Sequence, residues 1–229
     1  EVGMDNVNRT PSFVFDPASH FYLDKPVGLG KENHTRIFGT LNKKGMEVSA
    51  QYLLLSNLTY LTEFYKVRQI SRVFTVLQLS AYREFKLTRK GLHWRTWLLL
   101  QQKTGNAELN LPLLSMRNQI AYDGNIGFRN LIISTGLEFR YFTPYKANQY
   151  SPLNGQFFYQ STNTLSMRVP EITAYAHIRI RSFVAYVRAE NLNALNLSTG
   201  SFTNNNAFLQ GYPYPGLHIR VGVFWSFVN

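Results

Sequence analysis

The sequence contains no cysteine and no long apolar run, although 45% of its residues are hydrophobic. Without cysteine, a disulfide framework and a cysteine-ligated metal site are excluded, and the absence fits a compartment in which stray thiols would oxidise. No window approaches the length of uncharged apolar sequence that a transmembrane helix needs. The absence of a long apolar run does not exclude a membrane β-barrel, because lipid-facing and lumen-facing residues alternate along its strands.

A leader segment is also missing from the start of the sequence. The chain begins EVGMDNVNRT, in which no basic region precedes an apolar stretch. This start predicts a cytosolic protein, a mature form or a fragment.

Acidic residues are scarce. The chain has 13 Asp and Glu against 24 Lys and Arg, which gives a net charge of +11. A basic balance indicates acidic partners, such as nucleic acid, phosphate-bearing lipid or small anions. The basic residues recur along the chain instead of forming one run, which argues against a nucleic-acid-binding tail.

The motifs of common catalytic and cofactor sites are absent too. The sequence has no GxSxG, HExxH, GxGxxG or GxxxxGK[ST] pattern. These patterns place a nucleophile, a zinc ion or a phosphate against the residues that use them. We therefore expect no enzymatic activity, no cofactor and no metal site.

What the sequence does contain is apolar residues at a spacing of two, which predicts β-strands with two unlike faces. The clearest case is EITAYAHIRIRSFVAYVRAENL, which predicts a hairpin with a very tight turn. The predicted strands are roughly 34–41, 46–55, 58–66, 73–88, 92–102, 114–122, 130–142, 171–181, 183–190 and 217–228. Residues 1–33 are predicted to be an N-terminal extension or to add one or two strands, around SFVF and HFYL.

The predicted connections alternate in length. Residues 103–113, 143–170 and 191–216 are long, residues 67–72 are moderate, and Ser56–Asn57, Lys90–Gly91, 123–129 and Arg181–Ser182 are short. Outer-membrane barrels combine short periplasmic turns with longer extracellular loops. The predicted fold class is therefore all-β, an antiparallel transmembrane β-barrel over residues 34–229.

Aromatic residues are frequent, at 15%, and several lie near predicted strand ends. Aromatic rings collect at membrane interfaces because they are apolar with one polar handle. The candidate interface aromatics are Trp94, Trp97, Tyr141, Phe142 and Tyr145. The alternative is ordinary packing in the core of a β-protein.

Four stretches carry a family resemblance: QKTGNAELNLPLLSMRNQIAYDGNIGF, LEFRYFTPYKANQYSPLNGQFFYQ, VPEITAYAHIRIRSFVAYVRAENLN and YPYPGLHIRVGVFWSFVN. They resemble the C-terminal region of the β-barrel porin family of Bacteroidetes outer membranes. The AENLN segment is also similar to the penultimate strands of TonB-dependent receptors. The resemblance implies a barrel in the bacterial outer membrane, without catalytic residues. Family members are longer, which implies that this chain is part of a larger barrel.

The alternation predicts a set of charged residues that face the lumen: Arg117, Glu138, Arg140, His177, Arg179, Arg181, Arg188, Glu190, His218 and Arg220. Charged rings set the selectivity of a pore. One interpretation is therefore a porin-like passive diffusion channel with a basic lumen that favours small anionic solutes. The other is a salt-bridged interior that fills space and stiffens the barrel.

The last strand resembles the signal that the barrel-assembly machinery recognises by strand addition. The candidate signal residues are Val221, Val223, Trp225 and Phe227. The expected partners are this machinery, outer-membrane lipid or lipopolysaccharide, and other outer-membrane subunits.

Two other functions remain open. One is a non-conducting barrel subunit that scaffolds a larger outer-membrane complex for transport, secretion or assembly. The other is a soluble β-barrel that binds single-stranded nucleic acid through segments such as LHWRTW. Nucleic acid is not an expected partner, because the apolar faces extend over more strands than a small soluble barrel needs.

Overall fold

The computed structural model describes residues 1–15, 24, 28–125, 127, 130–196, 199–202, 209, 211–212 and 216–226, without the side chains of residues 201–202. The strands in chain order are β1 (Val2–Arg9), β2 (Glu32–Lys43), β3 (Met46–Ser56), β4 (Leu58–Thr62), β5 (Lys66–Ile70), β6 (Phe74–Lys86), β7 (Leu92–Thr104), β8 (Leu114–Gly124), β9 (Leu131–Phe142), β10 (Tyr145–Lys146), β11 (Gln149–Ser151), β12 (Gln156–Phe158), β13 (Thr164–Leu165), β14 (Glu171–Ile180), β15 (Phe183–Glu190), β16 (Leu195–Asn196), β17 (Ser201–Phe202) and β18 (His218–Trp225). Short 3-10 turns occupy Phe13–Phe15 and Leu192–Ala194. In the described part of the chain, no helix is long and apolar enough to cross a membrane.

One ten-stranded sheet dominates the fold, in the order β1-β2-β3-β6-β7-β8-β9-β14-β15-β18. Neighbouring strands are antiparallel throughout. The order follows the chain, so the sheet is a meander in which each long strand pairs with the next. Among the described residues β1 and β18 are the two edges and do not pair with each other, so the sheet is open. The prediction of an all-β antiparallel fold is confirmed.

The connections alternate between the two ends of the sheet. The connections β2–β3, β6–β7, β8–β9 and β14–β15 join strands at one end of the sheet, which we call the short-turn end. The connections β1–β2, β3–β6, β7–β8, β9–β14 and β15–β18 join strands at the other end, the long-loop end. The turn at Lys44 and Gly45 has positive φ at both residues, 43° and 77°. Two left-handed residues give the twist that a two-residue hairpin turn requires.

The strand predicted at 58–66 is wrong. The chain reverses at Glu63 and Phe64, where φ is 50° and 68°. Strands β4 and β5 therefore form a separate hairpin outside the ten-stranded sheet. Each has five residues, whereas a membrane-crossing strand needs about 9–11. Alternation continues through the reversal and does not reveal it.

The first segment contributes an additional strand, but not where the pattern placed one. Strand β1 pairs with β2 along its whole length. The SFVF segment contains the 3-10 turn Phe13–Phe15, and HFYL lies outside the described residues. Residues 5–9 of β1 are mostly polar, which hides the strand from a search for apolar alternation.

The ten-stranded sheet has two unlike faces. The apolar face carries Tyr52, Leu79, Leu98, Ile120, Leu137, Val187 and Val221. These side chains are all exposed, from 38% for Leu98 to 74% for Val221. The polar face carries Gln78, Arg95, Arg117, Glu138, Tyr175, Arg188 and Arg220. A continuous exposed apolar face of this extent is typical of a surface in contact with lipid.

At the long-loop end, a loop layer made of β4, β5, β11 and β12 packs on its own core. Leu61, Val67 and Phe158 form that core. Burial raises the pKa of the Tyr60 phenol in β4, and the Glu108 carboxylate adds to the increase. The loop layer is therefore packed around buried side chains of its own.

A second core lies where the long connections meet the polar face. Leu55 and Phe74 are buried against Ile70 and Ala107. The polar face is therefore dry beside β3 and β6 at the long-loop end.

Candidate functional site: an arginine-rich polar face

Pairing between the strands places most of the predicted lumen residues on the polar face. They are Arg117, Glu138, Arg140, His177, Arg179, Arg188, Glu190, His218 and Arg220. Arg181 does not belong to this wall. It lies in the tight turn after β14 with φ of 51°, because the hairpin needs a left-handed residue there.

Glu138 holds the first arginine cluster. Its carboxylate lies 2.7 Å from the guanidinium groups of Arg117 and Arg140. The two arginines stand directly opposite each other on β8 and β9, a placement that repels unless a counter-charge is shared. The glutamate side chain is 5% exposed, whereas each arginine is 44% exposed. Water on this face therefore meets the cations before it meets the anion.

Glu190 forms a second cluster in which one carboxylate is shared by two arginines. Its carboxylate lies 2.9 Å from Nε of Arg188 and 3.0 Å from Arg220. These arginines also stand opposite each other, on β15 and β18. The side chains of Arg188 and Arg220 are 34% and 62% exposed, against 18% for Glu190.

The net charge of the polar face is not uniform. Glu171 stands opposite Arg140, so the first cluster is close to neutral. Around Arg95, two carboxylates face one guanidinium: Glu84 at 3.1 Å and Asp123 at 2.5 Å. On β14, β15 and β18 the polar face carries three arginines, Arg179, Arg188 and Arg220, against two carboxylates, Glu171 and Glu190. Salt bridges hold arginines both on β7–β9 and on β15 and β18.

Exposed cations also gather at the short-turn end. Lys44, Arg89, Lys90 and Arg181 all lie in connections of that end and are exposed. Focused charge at a mouth raises the local concentration of counter-ions.

The candidate interface aromatics divide between the two faces. Trp94 lies on the apolar face and stacks on Phe85 at 5.0 Å, and Tyr141 lies on the same face opposite Met116. The assignment of Trp97 and Phe142 to the lipid interface is wrong, because their register places them on the polar face.

Tyr145 lies outside the ten-stranded sheet. It belongs to β10, and its ring meets that of Phe142 at 5.5 Å. Sequence reasoning missed Phe183, whose ring contacts Trp225 at 6.1 Å. Successive residues of a strand point to opposite faces of the sheet. The position of each ring in this alternation, rather than its closeness to a strand end, is the signal that would have assigned it to the correct face.

The candidate assembly signal lies on the exposed edge strand. Val221, Val223 and Trp225 alternate on the apolar face of β18 and are 74%, 68% and 56% exposed. Phe227 lies outside the described residues. Recognition by the assembly machinery stays a prediction.

Two further polar residues were not predicted from the sequence. Glu32 is 3% exposed and accepts hydrogen bonds from the Thr59 N–H and from Nε of Arg9, both at 2.8 Å. It joins the sheet to the loop layer. Arg95 was also missed, although alternation in LHWRTW places it on the same face as Trp97. In the described residues, no three His, Asp or Glu side chains are grouped to hold a metal ion.

Solved structures share this fold. The copper transporter OprC matches 99% of this chain with a TM-score of 0.65 and 14% identity. The G324V mutant of the ferric enterobactin receptor PfeA from Pseudomonas aeruginosa matches 99% with a TM-score of 0.62 and 14% identity. The chain spans 36% and 38% of these proteins. At such identity the likeness establishes the fold alone, here an open part of an outer-membrane β-barrel.

No curated protein matches the chain. A family model described as "Putative porin" matches residues 1–229, which is the whole sequence. The match confirms the family resemblance and a bacterial outer-membrane location, and the Bacteroidetes assignment stays a prediction. The chain belongs to this porin family of outer-membrane β-barrel proteins.

Proposed function

We propose that the polar face lines a passive diffusion path that favours small anionic solutes. One observation carries the proposal: in both arginine clusters the carboxylate is less exposed than the guanidinium groups that it pairs with. A solute on this face therefore meets N–H donors first. Charged walls of this kind set the selectivity of a pore.

The position of the excess charge supports the same direction of selectivity. Arg179, Arg188 and Arg220 outnumber the two carboxylates, Glu171 and Glu190, on the polar face of β14, β15 and β18. The exposed cations of the short-turn end add positive potential at that mouth. An anion is attracted at the entrance and then held weakly by several donors, which permits it to leave again.

The experiment is a reversal-potential measurement on the protein in planar bilayers under a potassium chloride gradient. We expect the potential to shift toward the chloride equilibrium value. Arg220→Gln and Arg188→Gln should each reduce the shift. Arg83→Gln is the control, because Arg83 lies on the apolar face over the Phe85 ring. A shift toward the potassium value, or equal effects of all three substitutions, would contradict the proposal.

A non-conducting scaffold is the second candidate. The observation that favours it is the dry core of Leu55, Phe74 and Val76, which closes part of the polar face at the long-loop end. Among the described residues, the unpaired edges of β1 and β18 also leave strands for a further segment or subunit to pair with. A correctly inserted protein that gives no conductance would favour this function. Contacts with lipopolysaccharide and other outer-membrane subunits belong to the same proposal.

A further inference from the structure

A cavity of about 510 Å³ lies on the polar face, away from the Glu190 cluster. Its floor is one row of cross-strand partners: Glu47 opposite Tyr82, Tyr82 opposite Trp97, and Trp97 opposite Arg117. Met167, from the long connection between β9 and β14, also lines the cavity and is 8% exposed. The volume falls in the range of small-molecule sites, roughly 300–1,000 Å³.

The row presents three chemistries in order across four strands. A carboxylate stands on β3, two aromatic rings on β6 and β7, and a guanidinium on β8. The rings of Tyr82 and Trp97 lie 5.1 Å apart. Cζ of Arg117 lies 4.5 Å from the Trp97 ring centroid, so the aromatic pair continues directly into the cation.

Arg117 is held in place before any ligand arrives. One side of its guanidinium rests on Trp97, and NH2 pairs with Glu138 at 2.7 Å. Its side chain is nevertheless 44% exposed, and an arginine has five N–H donors. A guanidinium fixed in this way loses little entropy when it binds a carboxylate. The neighbouring Arg140 is offset by Glu171 across the next strand, which leaves Arg117 as the main carboxylate contact.

We propose that this cavity binds a short peptide with free termini and an aromatic side chain. Its carboxylate pairs with Arg117, its ring packs on Tyr82 and Trp97, and its ammonium faces Glu47. Glu47 and Arg117 are three strands apart, about 14 Å between backbones. A peptide of two or three residues spans about 7–11 Å. The side chains of Glu47 and Arg117 reach toward its termini and cover the rest of the distance between the two backbones.

The row accounts for the charges of a zwitterion better than for those of a simple anion. Glu47 is an exposed carboxylate at the far end of the same cavity, and an anion gains nothing from it. A peptide satisfies both ends at once. This site shares Arg117 with the first arginine cluster, but its other contacts, Glu47 and the two rings, and its ligand differ from those of the proposed anion path, so that either proposal can fail without the other.

Four dipeptide probes separate the three contacts, with binding measured by calorimetry on the protein in detergent micelles. They are Ala-Phe, N-acetyl-Ala-Phe without the ammonium, Ala-Phe-amide without the carboxylate, and Ala-Ala without the ring. We expect removal of either charge to weaken binding by about tenfold or more. Removal of the ring should weaken it by about three- to tenfold. Equal affinities for all four probes would overturn the proposal.

Matched variants assign each contact to its residue. Glu47→Gln should abolish the preference for Ala-Phe over its N-acetyl form and leave the other preferences intact. Trp97→Leu should abolish the preference for Ala-Phe over Ala-Ala, whereas Trp94→Leu, on the opposite face of β7, should not. If Ala-Phe and N-acetyl-Ala-Phe bind the unmodified protein equally, the site binds organic anions and the zwitterion proposal is wrong. Anion-selective conductance without peptide binding would refute this site alone, and peptide binding without conductance would refute the diffusion path alone.

Discussion

An arginine placed on the apolar face at mid-depth should destabilise the protein far more than one placed beside it on the polar face. Leu79 lies near the middle of β6 and is 42% exposed on the apolar face. Leu79→Arg puts a guanidinium into lipid at mid-depth, which costs about 2–4 kcal/mol. Gln78→Arg places the same group on the polar face. It loses the 3.2 Å hydrogen bond from Gln78 to Gln101, at a cost of about 1 kcal/mol.

The loss of stability caused by an arginine on the apolar face should also depend on how deep in the bilayer the substituted residue lies. Ile178 lies close to the short turn that follows β14, which ends at Ile180. Ile178→Arg should therefore cost only about 0–1 kcal/mol, as it does near a membrane interface. His177→Arg is its control on the polar face, one residue away and exposed.

The assay is urea unfolding of the protein folded into lipid vesicles, from which the free energy of unfolding is obtained by linear extrapolation. We expect Leu79→Arg to lower the free energy of unfolding by clearly more than any of the other three substitutions. Equal costs for Leu79→Arg and Gln78→Arg would show that the faces are assigned incorrectly. Equal costs for Leu79→Arg and Ile178→Arg would show that this face does not meet a bilayer.

Three further predictions follow from named contacts. Glu138→Gln leaves two opposed arginines without their shared carboxylate, so the free energy of unfolding should fall by about 1–3 kcal/mol and anion selectivity should rise in the reversal-potential assay. Glu32→Gln weakens the link between sheet and loop layer, so limited proteolysis should cut within residues 57–73 at lower protease concentration. Replacing Trp225 and Phe227 with serine should reduce the amount of protein assembled in the outer membrane, measured by surface labelling. Normal assembly of that variant would count against a recognition signal in the last strand.

The sequence predicts the faces of this sheet well, because a spacing of two is a direct property of the extended backbone. Arg188 and Arg220 are placed on one face by that rule, and the pairing of β15 with β18 then makes them partners. The alternation does not show where a strand ends and the chain reverses. It continues through the reversal at Glu63 and Phe64, so alternation predicts one strand over 58–66 where the structure has the turn between β4 and β5.

Alternation also does not predict which residues of the polar face are buried by the connections between strands. Thr173 lies on the polar face but is only 4% exposed. Leu55 and Phe74 share that face and are buried by residues from distant connections. Which acids are shared by which arginines also depends on register between strands far apart in the chain, as for Glu190 and Arg220.

The central claim is that the polar face lines a water-filled path that attracts anions. Tyr186 and Val187 are neighbours on β15, lie on opposite faces, and are 42% and 43% exposed. The natural chain has no cysteine, so Tyr186→Cys and Val187→Cys each introduce a single thiol. In lipid vesicles, water-soluble methanethiosulfonate reagents should modify Tyr186→Cys and spare Val187→Cys. When each rate is divided by the rate of the same reagent with a free thiol in solution, the sulfonate-bearing reagent should be favoured over the trimethylammonium-bearing one at Tyr186→Cys. Modification of Val187→Cys at a similar rate, or a normalised rate at Tyr186→Cys that favours the cationic reagent, would contradict the claim.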